Sequence, residues 1–299
     1  MPNNLENWIN KLSFGEGKPY KNLILIPVIS NNGAGLEFLT LTRAIKDDLV
    51  QIREVTGNAT VPEIIVINKG GGYVLIIDGD HLIGAKQNRV INKTIIIPPE
   101  SETRIPVSCT EQGRWHFVSE KFSKSKYSAP STIRSIFKQK MAAQQGVWNE
   151  VEKRMHSFSV HSPTSSLEEV YGKLDSSIEG YKKAISPVPS QVGFMIFING
   201  GFSGLDILGD ANLFSGVYND LINGYIMDAM YKAKDKGEKT VSDLDKKKII
   251  KDLLQIKTKA AKSIGVEKRR VIQGKKVAGE FITFQRKPVH LAVFPKSYY

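Results

Sequence analysis

Two short polar segments hold most of the side chains able to act on a ligand. Residues 78–89 read Asp-Gly-Asp-His-Leu-Ile-Gly-Ala-Lys-Gln-Asn-Arg, and the glycines let the backbone approach a bound group closely. Gln87 and Arg89 stand two apart, which on a strand puts both on one face. Residues 106–115 read Pro-Val-Ser-Cys-Thr-Glu-Gln-Gly-Arg-Trp, and Cys109 and Glu111 are spaced in the same way. Guanidinium groups at Arg89 and Arg114 match a phosphate bidentately. Glu111 suits a sugar hydroxyl or the work of a general base, Cys109 brings a thiol, and Trp115 brings a flat apolar face. Each has a structural alternative. A single cysteine is commonly a small buried apolar residue whose reactivity requires access and a lowered pKa. Glu111 and Arg114 can neutralise one another, and Trp115 can belong to the core.

Metal chemistry finds little footing. With one cysteine there is no C-x-x-C, and His81 and His116 have none of the spacing of H-E-x-x-H. Asp78, Asp80 and His81 are the local set with ligand chemistry, and no cofactor is assigned. A further cluster, residues 199–210, is rich in glycine, whose neighbouring N–H groups can cradle phosphate. It fits neither the P-loop nor the dinucleotide pattern, and a hairpin turn accounts for Gly200 and Gly201 without a ligand.

The elements that must position these groups read as strands first and helices later. Residues 23–29 form an apolar run closed by a turn-rich stretch at 30–35, residues 36–45 a strand running into a brief helix, and residues 50–55 alternate as a half-buried strand does. Residues 63–68 and 73–79 flank Gly70-Gly71-Gly72 and suggest a hairpin, followed by strands at 89–97 and 104–109. After residue 122 the texture changes. Ile133, Ile136, Phe137, Met141, Val147, Trp148 and Val151 recur at helical steps, and further helices are expected at 165–185 and 213–234. Ile249, Ile250, Leu253, Leu254, Ala260, Ala261 and Ile264 mark one face of another helix, with Lys246, Lys247, Lys248 and Lys251 off it. Residues 192–207 form a hairpin, and strands at 268–273, 279–284 and 289–294 close the chain. The expected fold is α+β, an N-terminal antiparallel β-sandwich or barrel (1–122) followed by a helical and antiparallel-strand region (123–299), as two domains or one continuous unit.

Composition sets bounds on function. Hydrophobic residues make up 41% and charged residues 24%, as in a packed globular protein. Apolar runs stop far short of the roughly 20 residues that span a bilayer, and the N-terminus lacks the pattern of a secretory signal. A cytoplasmic protein without a membrane partner is expected. The net charge of +12 is concentrated: residues 232–276 carry +10 and residues 104–140 carry +6. Such a field suits an anionic partner, and it equally suits lysines on the wet faces of helices. Lys246, Lys247, Lys248, Lys251, Lys268, Arg269 and Arg270 are the candidates for a nucleic-acid surface.

The segments Gly-Ala-Lys-Gln-Asn-Arg at 84–89, Ser-Cys-Thr-Glu-Gln-Gly-Arg-Trp at 108–115 and Gln-Gly-Val-Trp at 145–148 resemble the ADP-ribosylglycohydrolase and rhodanese-phosphatase associated protein domain. The likeness runs through most of the chain, including residues 162–165 and the hairpin at 193–206. It implies a link to ADP-ribose, NAD or phosphate-ester metabolism, or to repair and defence, and it brings no assigned reaction. The expectation is a protein that binds or hydrolyses a nucleotide-like, phosphate-containing small molecule. Arg89 and Arg114 would hold phosphate, Gln87 would assist, Glu111 and Cys109 would be the catalytic candidates, and Trp115 would stack on a base. The alternative is a nucleic-acid or partner-binding module built on the basic C-terminal segment.

Overall fold

The computed structural model describes residues 4–55, 62–139, 143–234 and 243–296. A nine-stranded antiparallel sheet forms its centre. The strand order is Ser13–Phe14, Leu23–Ile29, Gln191–Ile198, Gly201–Leu208, Lys287–Pro295, Val277–Phe284, Lys268–Gln273 and Lys259–Ala261, with Lys18–Tyr20 also paired to Leu23–Ile29. Period-two alternation sends Phe194, Ile196 and Ile198 into one core and Met195 and Phe197 into another. Both faces of Gln191–Ile198 are covered, so the strand is buried along its whole length. Helices Ser131–Lys138, Ala143–Phe158, Leu167–Ala184 and Ala211–Tyr231 pack on the first face. Asn4–Ile9 and Asp243–Leu254 pack on the second.

A six-stranded sheet runs in the order Phe122–Ser128, Asp80–Gly84, Arg89–Ile91, Ser101–Cys109, Glu63–Asn68 and Val50–Glu54. A three-stranded sheet holds Ile95–Ile97, Val74–Ile76 and Leu39–Thr40, the last two parallel. Ile52, Ile64, Val66, Val74, Ile76, Ile95 and Ile105 join these sheets in a separate core. The α+β class and the β-rich N-terminal half are as expected. Leu23–Ile29, however, crosses the expected boundary at residue 122 and pairs with Gln191–Ile198 in the central sheet. Among the described residues no helix is long and apolar enough to cross a membrane.

Several local expectations need correction. The glycines at 70–72 do not close a hairpin, because Glu63–Asn68 pairs in the six-stranded sheet and Val74–Ile76 in the three-stranded one. The Asn68 amide explains the exit: it donates to Gly72 O at 2.9 Å and Pro98 O at 2.8 Å, while its carbonyl accepts from Gly70 N at 3.0 Å. The expected helix reaching Ile264 stops at Leu254, and Lys259–Ala261 is an edge strand on Lys268–Gln273. Arg270 ties that edge by donating to Thr258 Oγ1 at 2.6 Å and Thr258 O at 2.9 Å. The long helix expected around 131–154 is two helices, Ser131–Lys138 and Ala143–Phe158, and Met141 lies outside the described residues. The hairpin of Gln191–Ile198 and Gly201–Leu208 is as expected, with Gly200 at φ +73° in its turn.

Candidate functional site

The turn that follows Asp80–Gly84 and the loop that follows Ser101–Cys109 meet in space, and Arg114 is the bolt between them. Its Nη1 donates to Ala85 O at 2.7 Å and His116 O at 3.3 Å, and its Nη2 to Gly84 O at 3.3 Å, Asn88 Oδ1 at 3.1 Å and Glu111 Oε2 at 2.6 Å. Glu111 also accepts from Thr164 Oγ1 at 2.7 Å and the Asn88 amide at 3.1 Å. Burial pushes the Glu111 carboxyl up, and the bonds from Arg114, Thr164 and Asn88 outweigh it and hold the group below the usual carboxylate range. Gln87 donates to Gln112 O at 3.4 Å across the same junction.

Arg89 and Cys109 sit opposite one another in neighbouring strands. The Arg89 guanidinium lies against the Cys109 sulfur and donates to Glu54 Oε1 at 3.3 Å. Burial pushes the Cys109 thiol up against the pull of Arg89, the reverse of what a nucleophilic cysteine requires. The expected site residues therefore do meet, in two groups turned inward. Gln87, Arg89, Cys109, Glu111 and Arg114 are all less than 10% exposed, and the arginine and glutamate charges are spent on one another and on backbone carbonyls. Arg89 and Arg114, expected as phosphate ligands, and Cys109 and Glu111, expected as catalytic groups, are thus all buried, with Arg114 bonded to Glu111 and Arg89 to Glu54.

Trp115, by contrast, faces solvent. It is 54% exposed, followed by Phe117 at 56% and Val118 at 60%, so this one loop holds three of the four exposed large hydrophobic side chains among the described residues. The Lys86 ammonium stands 5.7 Å from the Trp115 ring centre and 5.1 Å from that of Phe117. Besides Arg114, the loop is pinned by Val118 N to Ala85 O at 3.1 Å, Ala85 N to Ser119 Oγ at 2.9 Å and Gly113 N to Thr164 O at 2.8 Å. A Cβ on Gly113 would stand 2.9 Å from Thr164 Cα, so only glycine allows that approach. Exposed aromatic rings are thus presented on a braced loop, with Lys121 exposed at its far end.

A second polar centre lies deep between the central sheet and the segment before Asp80–Gly84. Arg134 joins two fully buried carboxylates, with Nε 3.2 Å from Asp78 Oδ2 and Nη2 2.7 Å from Asp206 Oδ1. Lys138 reaches Asp78 at 3.1 Å and Glu280 at 3.0 Å, and Arg269 reaches Glu280 at 2.7 Å and Glu267 at 3.1 Å. His290 Nε2 stands 3.0 Å from Asp206, and its Nδ1 2.8 Å from the Thr94 hydroxyl. Burial pushes Asp78 and Asp206 up, but Arg134, aided by His290 at both and Lys138 at Asp78, holds them well below the ordinary range. These residues were not singled out from the sequence as a group. The available signal was a charge inside an apolar strand: Asp206 in Gly201–Leu208, Glu280 in Val277–Phe284 and His290 in Lys287–Pro295.

The residues with ligand chemistry at 78–81 are each paired to another side chain. Asp78 pairs with Arg134, Asp80 with Lys124 at 3.3 Å, and His81 with Glu168 at 3.1 Å. No cluster of three potential ligands exists among the described residues. Among the described residues of 104–140, Arg114, Lys124, Arg134 and Lys138 hold their charges in buried ion pairs. In the C-terminal segment Lys247, Lys248, Lys251 and Lys268 are exposed, Lys246 is half-buried, and Arg270 is engaged with Thr258. Arg269, expected with them on a nucleic-acid surface, is 2% exposed and bonded to two glutamates.

Together these features define an α+β protein with a large antiparallel sheet, a buried charge network at its centre and a braced aromatic loop on its surface. The chain belongs to the ARG and Rhodanese-Phosphatase-superfamily-associated Protein domain family, whose model matches residues 11–294. No curated protein and no solved structure matches the chain. The family name associates it with ADP-ribosylglycohydrolase and rhodanese-phosphatase proteins.

Proposed function

We propose that the protein binds a nucleotide-like, phosphate-containing molecule on the 111–121 loop, with the base stacked on Trp115 or Phe117 and the phosphate facing Lys86 and Lys121. The observation that carries this reading is the exposure of both rings on a loop that Arg114 bonds in place, with Lys86 beside them. Large apolar side chains held rigidly in water are a mark of an interaction surface, and base–aromatic stacking contributes about 1–3 kcal/mol per base. Little ordering remains to be done when ligand arrives. The association in the family name with ADP-ribosylglycohydrolase fits the same ligand class. Binding is proposed and not hydrolysis, because Cys109 and Glu111 are both buried. Calorimetry with ADP-ribose and AMP tests the reading. Trp115→Ala and Phe117→Ala, at side chains more than half exposed, lose binding at least ten-fold with an unchanged melting curve. Unaltered affinity in both variants, or no binding to the wild type, defeats it.

A second reading, a nucleic-acid surface, draws support from the exposed Lys247, Lys248, Lys251 and Lys268. It requires a gel shift that weakens steeply with salt; no shift at low salt removes it.

A further inference from the structure

A cleft of about 830 Å³ opens elsewhere, between the loop before Leu39–Thr40, the start of Ala211–Tyr231 and the turn after Val277–Phe284. Its size falls within the range of small-molecule sites. Phe38, Tyr73 and Phe284 line it, with Phe284 at the centre: its ring lies 5.7 Å from that of Phe38 and 4.9 Å from that of Tyr73, each inclined by 60°. Phe38 and Tyr73 are half-buried, so part of each ring remains open to an occupant.

The charge of the lining decides what that occupant is. On a chain of net charge +12, the ionisable side chains in this cleft are Glu37 and Asp210 besides the Tyr73 phenol, and none is basic. Glu37 is exposed and has no ion pair or hydrogen bond among the described residues. Asp210 uses one oxygen to accept from Asn212 N at 2.8 Å, capping its helix. Lys287, outside the lining, donates to Gly35 O at 3.3 Å on the rim. A phosphate group would meet two carboxylates here. A positive charge would meet them together with the negative faces of aromatic rings, an attraction of about 0.5–1 kcal/mol at exposed sites and about 2 kcal/mol or more when water is excluded.

We infer that this cleft is a binding site for an organic cation, a planar pyridinium or a methylated ammonium, held against the Phe38–Phe284–Tyr73 wall with Glu37 as its counter-charge. The site is separate from the braced loop and does not depend on it. Its ligand has the opposite charge requirement, so a compound carrying both a cationic ring and a phosphate is not needed to fill it.

Calorimetry on the full chain compares cations with neutral partners of similar shape: 1-methylnicotinamide, methylated on the ring nitrogen, with nicotinamide, and choline with 3,3-dimethylbutanol. At least a ten-fold preference for the cation in one pair is expected, and the pair that shows it distinguishes pyridinium from ammonium. Glu37→Gln, at an exposed position, removes most of that preference with an unchanged melting curve, and Tyr73→Leu weakens the cation more than its neutral partner. Equal binding of cation and neutral partner in both pairs, no heat from either cation at millimolar concentration, or a preference that survives in Glu37→Gln overturns the assignment.

Discussion

Replacing Arg114 by methionine separates a residue that holds ligand from one that holds the protein. The substitution keeps most of the aliphatic volume and removes five donated hydrogen bonds. It leaves Glu111, 5% exposed, without its cation but still bonded to Thr164 and the Asn88 amide. Deleting one member of a buried pair costs about 3–5 kcal/mol, and the two surviving bonds put the loss near the lower end, about 3 kcal/mol. A chain of this size shifts its Tm by about 2 °C or somewhat more per kcal/mol, so a drop of about 6 °C is expected at pH 7. Because the wild-type Glu111 carboxyl is held low, its pairing stabilises the fold above the normal carboxylate range, and that contribution is lost as pH falls through the folded value. The gap between variant and wild type is therefore widest above about pH 5 and narrows in acid. Urea unfolding of both proteins from pH 4 to pH 8 measures it. A variant as stable as wild type at neutral pH refutes the supporting role, and a loss independent of pH refutes its electrostatic origin.

The central network gives a stronger effect. Arg134→Met strands Asp78 and Asp206, both fully buried, and lowers unfolding free energy by about 4–5 kcal/mol, relieved only in part by Lys138 and His290; a loss under about 1 kcal/mol in urea contradicts the ion-pair reading. Burial, with the hydrogen bond to Asp175, pushes Tyr127 up to about 12 from 10.0, so its contribution is intact below pH 10 and fades as pH rises towards 12. Alkaline unfolding followed at the tyrosinate absorbance reports this, and Tyr127→Phe flattens the loss; an unaltered alkaline limb argues against it.

Much of the architecture was legible because it follows from local rules. The hairpin at 191–208 announced itself through two apolar runs around Asn199-Gly200-Gly201, and Val50–Glu54 through its alternation. What failed was partnership at a distance. Gly70-Gly71-Gly72 carries the same glycine signal as a hairpin, yet the Asn68 side chain diverts the chain into another sheet. Ala260 and Ala261 continue a helical period but pair along Lys268–Gln273 as an edge strand. At the candidate site the sequence placed Glu111 beside Arg114 and left open whether they face ligand or each other, since an i,i+3 ion pair and a binding pair have the same spacing. Exposure distinguishes them: the Arg114 guanidinium is internal and bonded to Glu111, and Trp115 is external. The Asp78–Arg134–Asp206–His290 centre joins residues up to 212 positions apart, which no local pattern contains.

Fluorescence of Trp115 during a titration with ADP-ribose tests the central claim most directly. Trp8→Phe and Trp148→Phe leave it as the single indole of the chain. The stacked complex predicts saturable quenching that competes with AMP and disappears in Lys86→Glu. Emission that stays constant while calorimetry records ADP-ribose binding places the ligand elsewhere and contradicts the account.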